Sequence, residues 1–311
     1  MSQYFDDKDL FVGPKVEQYG SHVVVTGVQR DTRTKYLNVD TLFRDDYNEQ
    51  TTIDYNISFP DTLTNVKSIT VTDMEVPITY YIISENLQNN IFKITNDVTG
   101  VSTLIKLPDG DYVRSSSSQI YGNVGIDISI KMNQLLQAAG LNITFDISNN
   151  KSQFINNDLL QSYTLEFAID STGNFNKNLF RSRLGYILGF RAPTVTLSNN
   201  SSVVSTAFIN LMGPRYLFLA VQELNGQGNE NSFVSYFPYS QMNKNILARI
   251  TMDGVKYGFD TMHIKDITSD TRKYSGPKDI KRINVKLLNE FGQIMDLNGN
   301  DVSFCLRIEH L

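Results

Sequence analysis

The sequence predicts a mainly β protein: an antiparallel jelly-roll β-sandwich with an inserted α+β unit and an extended N-terminal arm. Three observations lead there. Ile53-Asp54-Tyr55-Asn56-Ile57-Ser58-Phe59 alternates apolar and polar residues without a break, so one face of a strand is buried and the other is wet. Aromatics are 11% of the 311 residues and come only as Phe and Tyr, among abundant Asn, Ser and Thr, a mix that suits strands joined by polar turns. Runs of this texture near 37–39, 52–59, 66–76, 203–211, 216–224, 245–252, 281–288 and 302–310 make about eight strands, the number a jelly roll requires.

Residues 1–35 are polar and too poor in apolar side chains for a core of their own, so they are expected as an extended arm. Two readings of the arm stand: a frayed terminus, or a segment that orders on a neighbouring subunit through Tyr4, Phe5, Phe11 and the Val23-Val24-Val25 patch. Residues 36–85 open the sandwich. Pro60 is expected to end the first alternating strand. The next strand, Val66 to Val76, carries Ile69 and Val71 on one face and then changes phase at Met74 and Val76, which predicts a bulge or bend at Asp73.

Residues 86–199 read as the inserted α+β unit. Asn90 to Ile94 and Thr103 to Leu107 are short strands, and Pro108-Asp109-Gly110-Asp111 is a turn by its chemistry. Ile128, Met132, Leu135, Leu136 and Ala139 then fall on one helical face, with Gly140 placed to stop it. Strands Asn142 to Ile147 and Tyr163 to Ile169 precede a second helical stripe of Phe180, Leu184, Ile187 and Leu188, ending at Gly189. Residues 200–311 resume the sandwich, with turns at Asn225 to Asn229 and at Asn298-Gly299-Asn300.

The net charge of −5 and a pI near 5.3 give no general attraction to nucleic acid or to an anionic membrane. The densest basic segment, Arg272-Lys273 through Lys278, Lys281 and Arg282, reads as a solvated loop and strand edge, because Asp279 interrupts it and only Tyr274 could stack on a base. The single cysteine, Cys305, rules out an internal disulfide framework and fits maturation in a reducing compartment. Val302, Phe304, Leu306 and Ile308 share the face opposite to it, so it is expected as a structural thiol. No run is long and apolar enough to cross a bilayer, and no signal peptide is expected from the acidic start.

The search for chemistry assigns no catalytic, cofactor-binding or metal residue, and the chain is expected not to be an enzyme. Asp296-Leu297-Asn298-Gly299-Asn300-Asp301 imitates the start of a calcium loop, but Asp301 and Arg307 stand where an EF-hand needs Gly and Glu, so a hairpin turn is expected. Asp6-Asp7 with Asp9, and Asp45-Asp46, have no patterned partner for acid–base work. Phosphate loops, nucleophile elbows and zinc helices are absent. Tyr80-Tyr81, Tyr186 with Phe190, and Phe233 to Tyr239 are aromatic clusters expected as core or turn packing. The last has an alternative reading as an interface patch of Phe233, Tyr236, Phe237 and Tyr239, because Pro238 breaks the strand and Tyr is enriched at contacts.

One stretch carries more. Asn38-Val39-Asp40-Thr41-Leu42-Phe43-Arg44-Asp45-Asp46-Tyr47, followed by Asp54 to Pro60 and Val66 to Pro77, resembles the D-S-x-F-R-D opening of capsid-associated proteins of large nucleocytoplasmic double-stranded DNA viruses. Thr41-Leu42 stands where that pattern has Ser and any residue. The resemblance continues through Ile105 to Tyr112, the helix containing Leu135-Leu136, Leu184 to Phe190, and Gly276-Pro277 to Ser303-Phe304; each motif is short, but their order and spacing agree. It implies a virion structural protein, a minor capsid or penton-type component with a jelly-roll body. Its partners would be the major capsid protein, other capsid proteins and further copies of itself, a pentamer being one such form, with assembly in the host cytoplasm. Phe43, Arg44 and Asp45 are the markers of the motif. Two other classes stay open on the residues alone, a glycan-binding jelly-roll head or fibre module and a cryptic hydrolase.

Overall fold

The computed structural model describes residues 32–47, 54–114, 125–223, 245–252, 268–269 and 271–311 with their side chains, and the backbone alone at 11–12, 15–19, 22–26, 29–30, 235–237, 240–242, 261–263 and 267. Most of the described backbone is strand. The largest element is one eight-stranded sheet, whose path runs Ile267–Ser269, Ile246–Thr251, Tyr216–Glu223, Arg272–Leu288, Asp54–Pro77, Ser303–His310 and Arg33–Asp40, with Thr261–His263 pairing the end of the long strand. Every pairing in it is antiparallel. The sheet curls: Ser269, at the far end of the path, accepts from the Val71 amide through its hydroxyl at 3.1 Å. The curl encloses a core that includes Tyr55, Ile57, Phe59, Leu217, Leu219, Val285, Leu287, Phe304, Leu306 and Ile308.

Asp54–Pro77 is a single 24-residue strand, where the sequence suggested two separated by Pro60. Pro60 is accommodated because the ladder lets it go. Arg282 pairs Ser58 and Ile280 pairs Leu63, so the intervening residues loop out of register and the missing proline N–H leaves no partner stranded. The change of phase toward Met74 has the expected cause: Cys305 pairs Asp73 but Leu306 pairs Val71, so Thr72 is an extra residue. A second irregularity lies between the Ser68 and Val66 pairings. Together they let Val66, Ile69, Val71, Met74 and Val76 all reach the core although their numbers alternate in parity.

A second core draws on residues 82 to 211. A four-stranded antiparallel sheet, ordered Thr194–Leu197, Tyr163–Glu166, Ile91–Asn96 and Ser102–Lys106, and a three-stranded one, Ile143–Ser148, Lys151–Asn156 and Ser202–Val204, pack around the helix Ile128–Ala138. Phe92, Phe145, Phe154, Phe167 and Phe190 form its centre, with Phe167 and Phe190 stacked at 5.0 Å. The helix starts where Asp127 accepts from the Ser129 and Ile130 amides and buries Ile128, Met132 and Leu136. It stops at Gly140, whose φ of +72° lets the Leu141 amide return to Leu136 and the Gly140 amide to Gln137.

Two expectations change here. The second helical stripe is not one helix but a 3₁₀ turn, Lys177–Ser182, and a single helical turn, Leu184–Ile187. Arg183 separates them with an extended backbone, because its guanidinium is buried and donates to the Ile169 and Leu87 carbonyls and to the Gln88 side chain. The strand expected over 203–211 ends at Val204: the Ser205 amide still donates to Ser152, but the Ala207, Ile209 and Asn210 amides are taken by the Gly189, Asn150 and Ile187 carbonyls instead of a ladder.

The first thirty residues, expected as an extended arm, contain antiparallel pairs: Phe11–Val12 against Gln29–Arg30, and Lys15–Tyr19 against His22–Thr26. The strand that follows, Arg33–Asp40, already belongs to the large sheet.

Candidate functional site

The Phe43-Arg44-Asp45 markers sit in a turn that leaves the outermost strand of the large sheet. Asp40 begins it by accepting from the Leu42 amide, and Thr41–Phe43 form one 3₁₀ turn. Thr41 is buried and locks the turn to the strand beyond: its amide donates to the Val302 carbonyl, its hydroxyl donates to Asp301 at 2.7 Å, and the Val302 amide donates back to that hydroxyl at 2.8 Å.

Arg44 closes the turn from the other side. Its guanidinium donates to the Thr41 carbonyl at 2.8 Å and the Tyr47 carbonyl at 3.0 Å, pairs with Asp301 at 3.3 Å, and stacks 4.0 Å from the centre of the Tyr47 ring. Asp45 accepts from both the amide and the hydroxyl of Ser58, at 3.1 and 2.7 Å, and pairs with Arg282 at 3.3 Å. Both charged markers are therefore satisfied within the chain. What they leave outside is apolar: Phe43 is 73% exposed, with Leu42 and Tyr47 exposed beside it. A rigid turn carrying exposed Leu and Phe is suited to contact with another protein, since the ordering of its backbone is complete before any partner arrives.

Nearby, the Tyr55 hydroxyl is buried with no hydrogen-bond partner among the described residues; burial first, and then the Asp40 and Asp301 carboxylates, hold its ionisation well above the ordinary tyrosine range.

The other sequence candidates disperse. Tyr4, Phe5, Phe233 and Tyr239 lie outside the described residues, and of Phe11, Tyr236 and Phe237 only the backbone is described, the last two in a strand pairing Ser240–Met242. Tyr80 is buried and Tyr81 exposed. Tyr186 packs edge-on to Phe180 with Arg191 over its face, while Phe190 is core.

Asp296 to Asp301 forms the expected turn, with Asp296 accepting from the Asn298 amide; Asp301 serves Thr41 and Arg44. Among the described residues no group of three or more His, Cys, Asp or Glu is placed to hold a metal, and no helix is long and apolar enough to cross a membrane. A small, partly open pocket lined by Ser84, Asn86, Asp109 and Asp296 also takes in Leu87 and Met295 of the sheet core.

The basic segment differs from its expected form. It is the body of the Arg272–Leu288 strand, Arg272 is fully buried against Glu223, Lys278 lies over Tyr274, and Arg282 pairs with Asp45. The signal that sequence reading missed is the role of Asp301, which lies 257 residues from Arg44 and is read locally as part of a loop.

No family model matches the chain, and neither does any curated protein. Among solved structures the chain is similar to the penton protein of mavirus, at 11% identity and a TM-score of 0.37, over 90% of this chain and 100% of that one, a likeness too distant to assign fold or function.

Proposed function

We propose that the chain is a structural protein of a virus particle, a minor capsid or penton-type subunit that packs against the major capsid protein and against further copies of itself. In this reading the curled sheet is a jelly-roll sandwich of residues 36–85 and 200–311, residues 86–199 are an inserted unit, and residues 1–35 are an arm. Two separate cores support a body and an inserted unit, although the second core also draws on Ile82, Ile83, Ile209 and Leu211, and Leu87 belongs to the first. The observation that carries the function is the Thr41–Tyr47 turn. Its motif residues Arg44 and Asp45 are engaged in fixing the backbone, while Leu42 and Phe43 are exposed, with no partner among the described residues to cover them. The chemistry is burial of complementary surface, repeated by symmetry so that modest contacts sum.

The test is the pair Leu42→Ser and Phe43→Ser. The melting temperature should hold while incorporation into particles drops; unchanged incorporation, or unfolding as the only effect, contradicts the proposal.

A glycan-binding module has one observation in its favour. Thr196, Thr164, Thr95 and Ser102 align across the four-stranded sheet as an accessible row of hydroxyls, with Thr95 and Ser102 hydrogen-bonded at 2.9 Å. Binding of the isolated protein to a glycan array that is lost on Thr164→Val would favour that reading.

A further inference from the structure

At one end of the second core three turns are laced together. The Asp97 amide donates to the Ser162 carbonyl at 2.9 Å, the Asn200 amide to the Asp158 carbonyl at 2.8 Å, and the Asn156 side chain to the Gln161 and Ser198 carbonyls. Within these turns Asn96 accepts from the Val98 and Thr99 amides and Asp158 from the Leu160 amide, so the backbone is ordered before any contact is made. They carry Val98, Val101, Leu159 and Leu160, which are 62 to 85% exposed. Aliphatic side chains gathered on a surface in this way mark a contact. The charges beside them are Asp97 and Asp158, and 96–101, 156–162 and 198–201 contain no Lys or Arg. The tip is therefore apolar with a negative rim, which an anionic lipid surface would repel.

The opposite end carries the reverse. From Asn156, at the tip, the strand Lys151–Asn156 runs back to Asn150, roughly 20 Å away at about 3.3 Å per residue. There the Asn150 carbonyl accepts from the Ile209 amide, and the Asn210 amide donates to the Ile187 carbonyl. Burial alternates along this segment: Ile209 and Leu211 are core, while Phe208 and Met212 are 63% and 53% exposed. The cations beside them are Arg191, which lies over the Tyr186 ring and donates to the Tyr186 and Phe190 carbonyls, and Arg114, which donates to the Asn150 side chain. Among the described residues no carboxylate forms an ion pair with either, and 186–191 and 205–213 contain no acid.

We propose that the tip of one copy, with Val98, Val101, Leu159 and Leu160, seats on the Phe208 and Met212 patch of a second copy of this chain, apolar at the centre and with Asp97 and Asp158 toward Arg114 and Arg191 at the rim. The two surfaces differ and lie at opposite ends of one unit, so the contact is head to tail; such contacts close into rings or run on as filaments. The inference deepens the self-assembly part of the capsid reading and rests on it. It is read out on purified chain in solution, so its failure leaves the Leu42 and Phe43 contact, tested by incorporation into particles, where it stands.

The test is sedimentation velocity of the full chain over a concentration series, with a tip variant, Leu159→Ser and Leu160→Ser, and a patch variant, Phe208→Ser and Met212→Ser. The parent should associate beyond a dimer. Each variant alone should need about tenfold more protein or greater to associate equally. Mixed in equal amounts, the two variants should form dimers and stop there, because one sound tip and one sound patch remain. The charge reversals Asp97→Lys and Arg191→Glu should each weaken association alone, and their mixture should assemble as the parent does. A parent that stays monomeric overturns the proposal, as do variants that associate like the parent. Loss in the tip variant with no loss in the patch variant would mean that tip meets tip, and a mixture of tip and patch variants that forms no dimer would mean that the two surfaces do not meet; either result also overturns it.

Discussion

The Arg272 guanidinium donates to the Glu223 carboxylate at 2.9 Å with both side chains sealed from solvent. It also donates to the Val221 and Asn245 carbonyls, so one cation ties the start of its own long strand to Tyr216–Glu223 and to the residue before Ile246–Thr251. Tyr274 donates to the same carboxylate oxygen, and burial, reinforced by that carboxylate, pushes the phenol well above its ordinary range.

Arg272→Ala should therefore destabilise the chain by about 3–5 kcal/mol in chemical denaturation, because a buried carboxylate would be left without its cation. Arg272→Met combined with Glu223→Leu should recover most of that loss, since it removes both charges. A double variant as unstable as the single one would show that the pair contributes through shape rather than charge.

Gly185 lies against the Phe167 ring, and a Cβ there would stand 2.2 Å from the ring carbon Cγ. Gly185→Ala must displace a ring that also stacks on Phe190, and should lower stability by about 1–3 kcal/mol. Phe167→Leu in the same chain should restore part of it, which a pair of denaturation curves would reveal.

Glu290 gives a pH dependence with a definite sign. Burial is the main influence and raises its carboxyl above the ordinary range; its own backbone amide and Arg215 pull the other way but less. Between the unfolded value and the raised folded one, the native state holds a proton that the unfolded state has lost, so stability falls as pH rises through that window. Glu290→Gln should melt above the parent at pH 7 and level with it at pH 3. The same difference at both pH values would contradict the assignment.

Asp45→Ala removes the acceptor for the Ser58 amide and hydroxyl and the partner of Arg282. Stability should fall by about 1–2 kcal/mol, and incorporation into particles should fall with it, because Leu42 and Phe43 would no longer be held on an ordered turn. Phe43→Ser should separate the two readouts by affecting incorporation alone.

Local patterns in the sequence carried far. The alternation of Ile53 to Phe59, the phase change before Met74, the face shared by Val302, Phe304, Leu306 and Ile308, and the Gly140 stop all follow from periodicity and backbone freedom, which neighbours along the chain determine. What failed depended on distant partners. Pro60 sits inside a strand because residues near Ile280 shift to let it pass, and Arg183 interrupts a helical stripe because buried carbonyls at Leu87 and Ile169 accept its guanidinium. The candidate site was legible only as a motif: its Arg44 and Asp45 could be named, but Asp301 and Arg282, which fix them, come from the other end of the chain.

Cryo-EM of intact, purified virus particles is the measurement on which the assembly reading stands or falls. Density fitting the curled sheet should appear at a five-fold vertex or beneath a facet, with the Leu42–Phe43 turn against a neighbouring subunit. Absence of the chain from purified particles, or density with that turn facing open solvent, would contradict it.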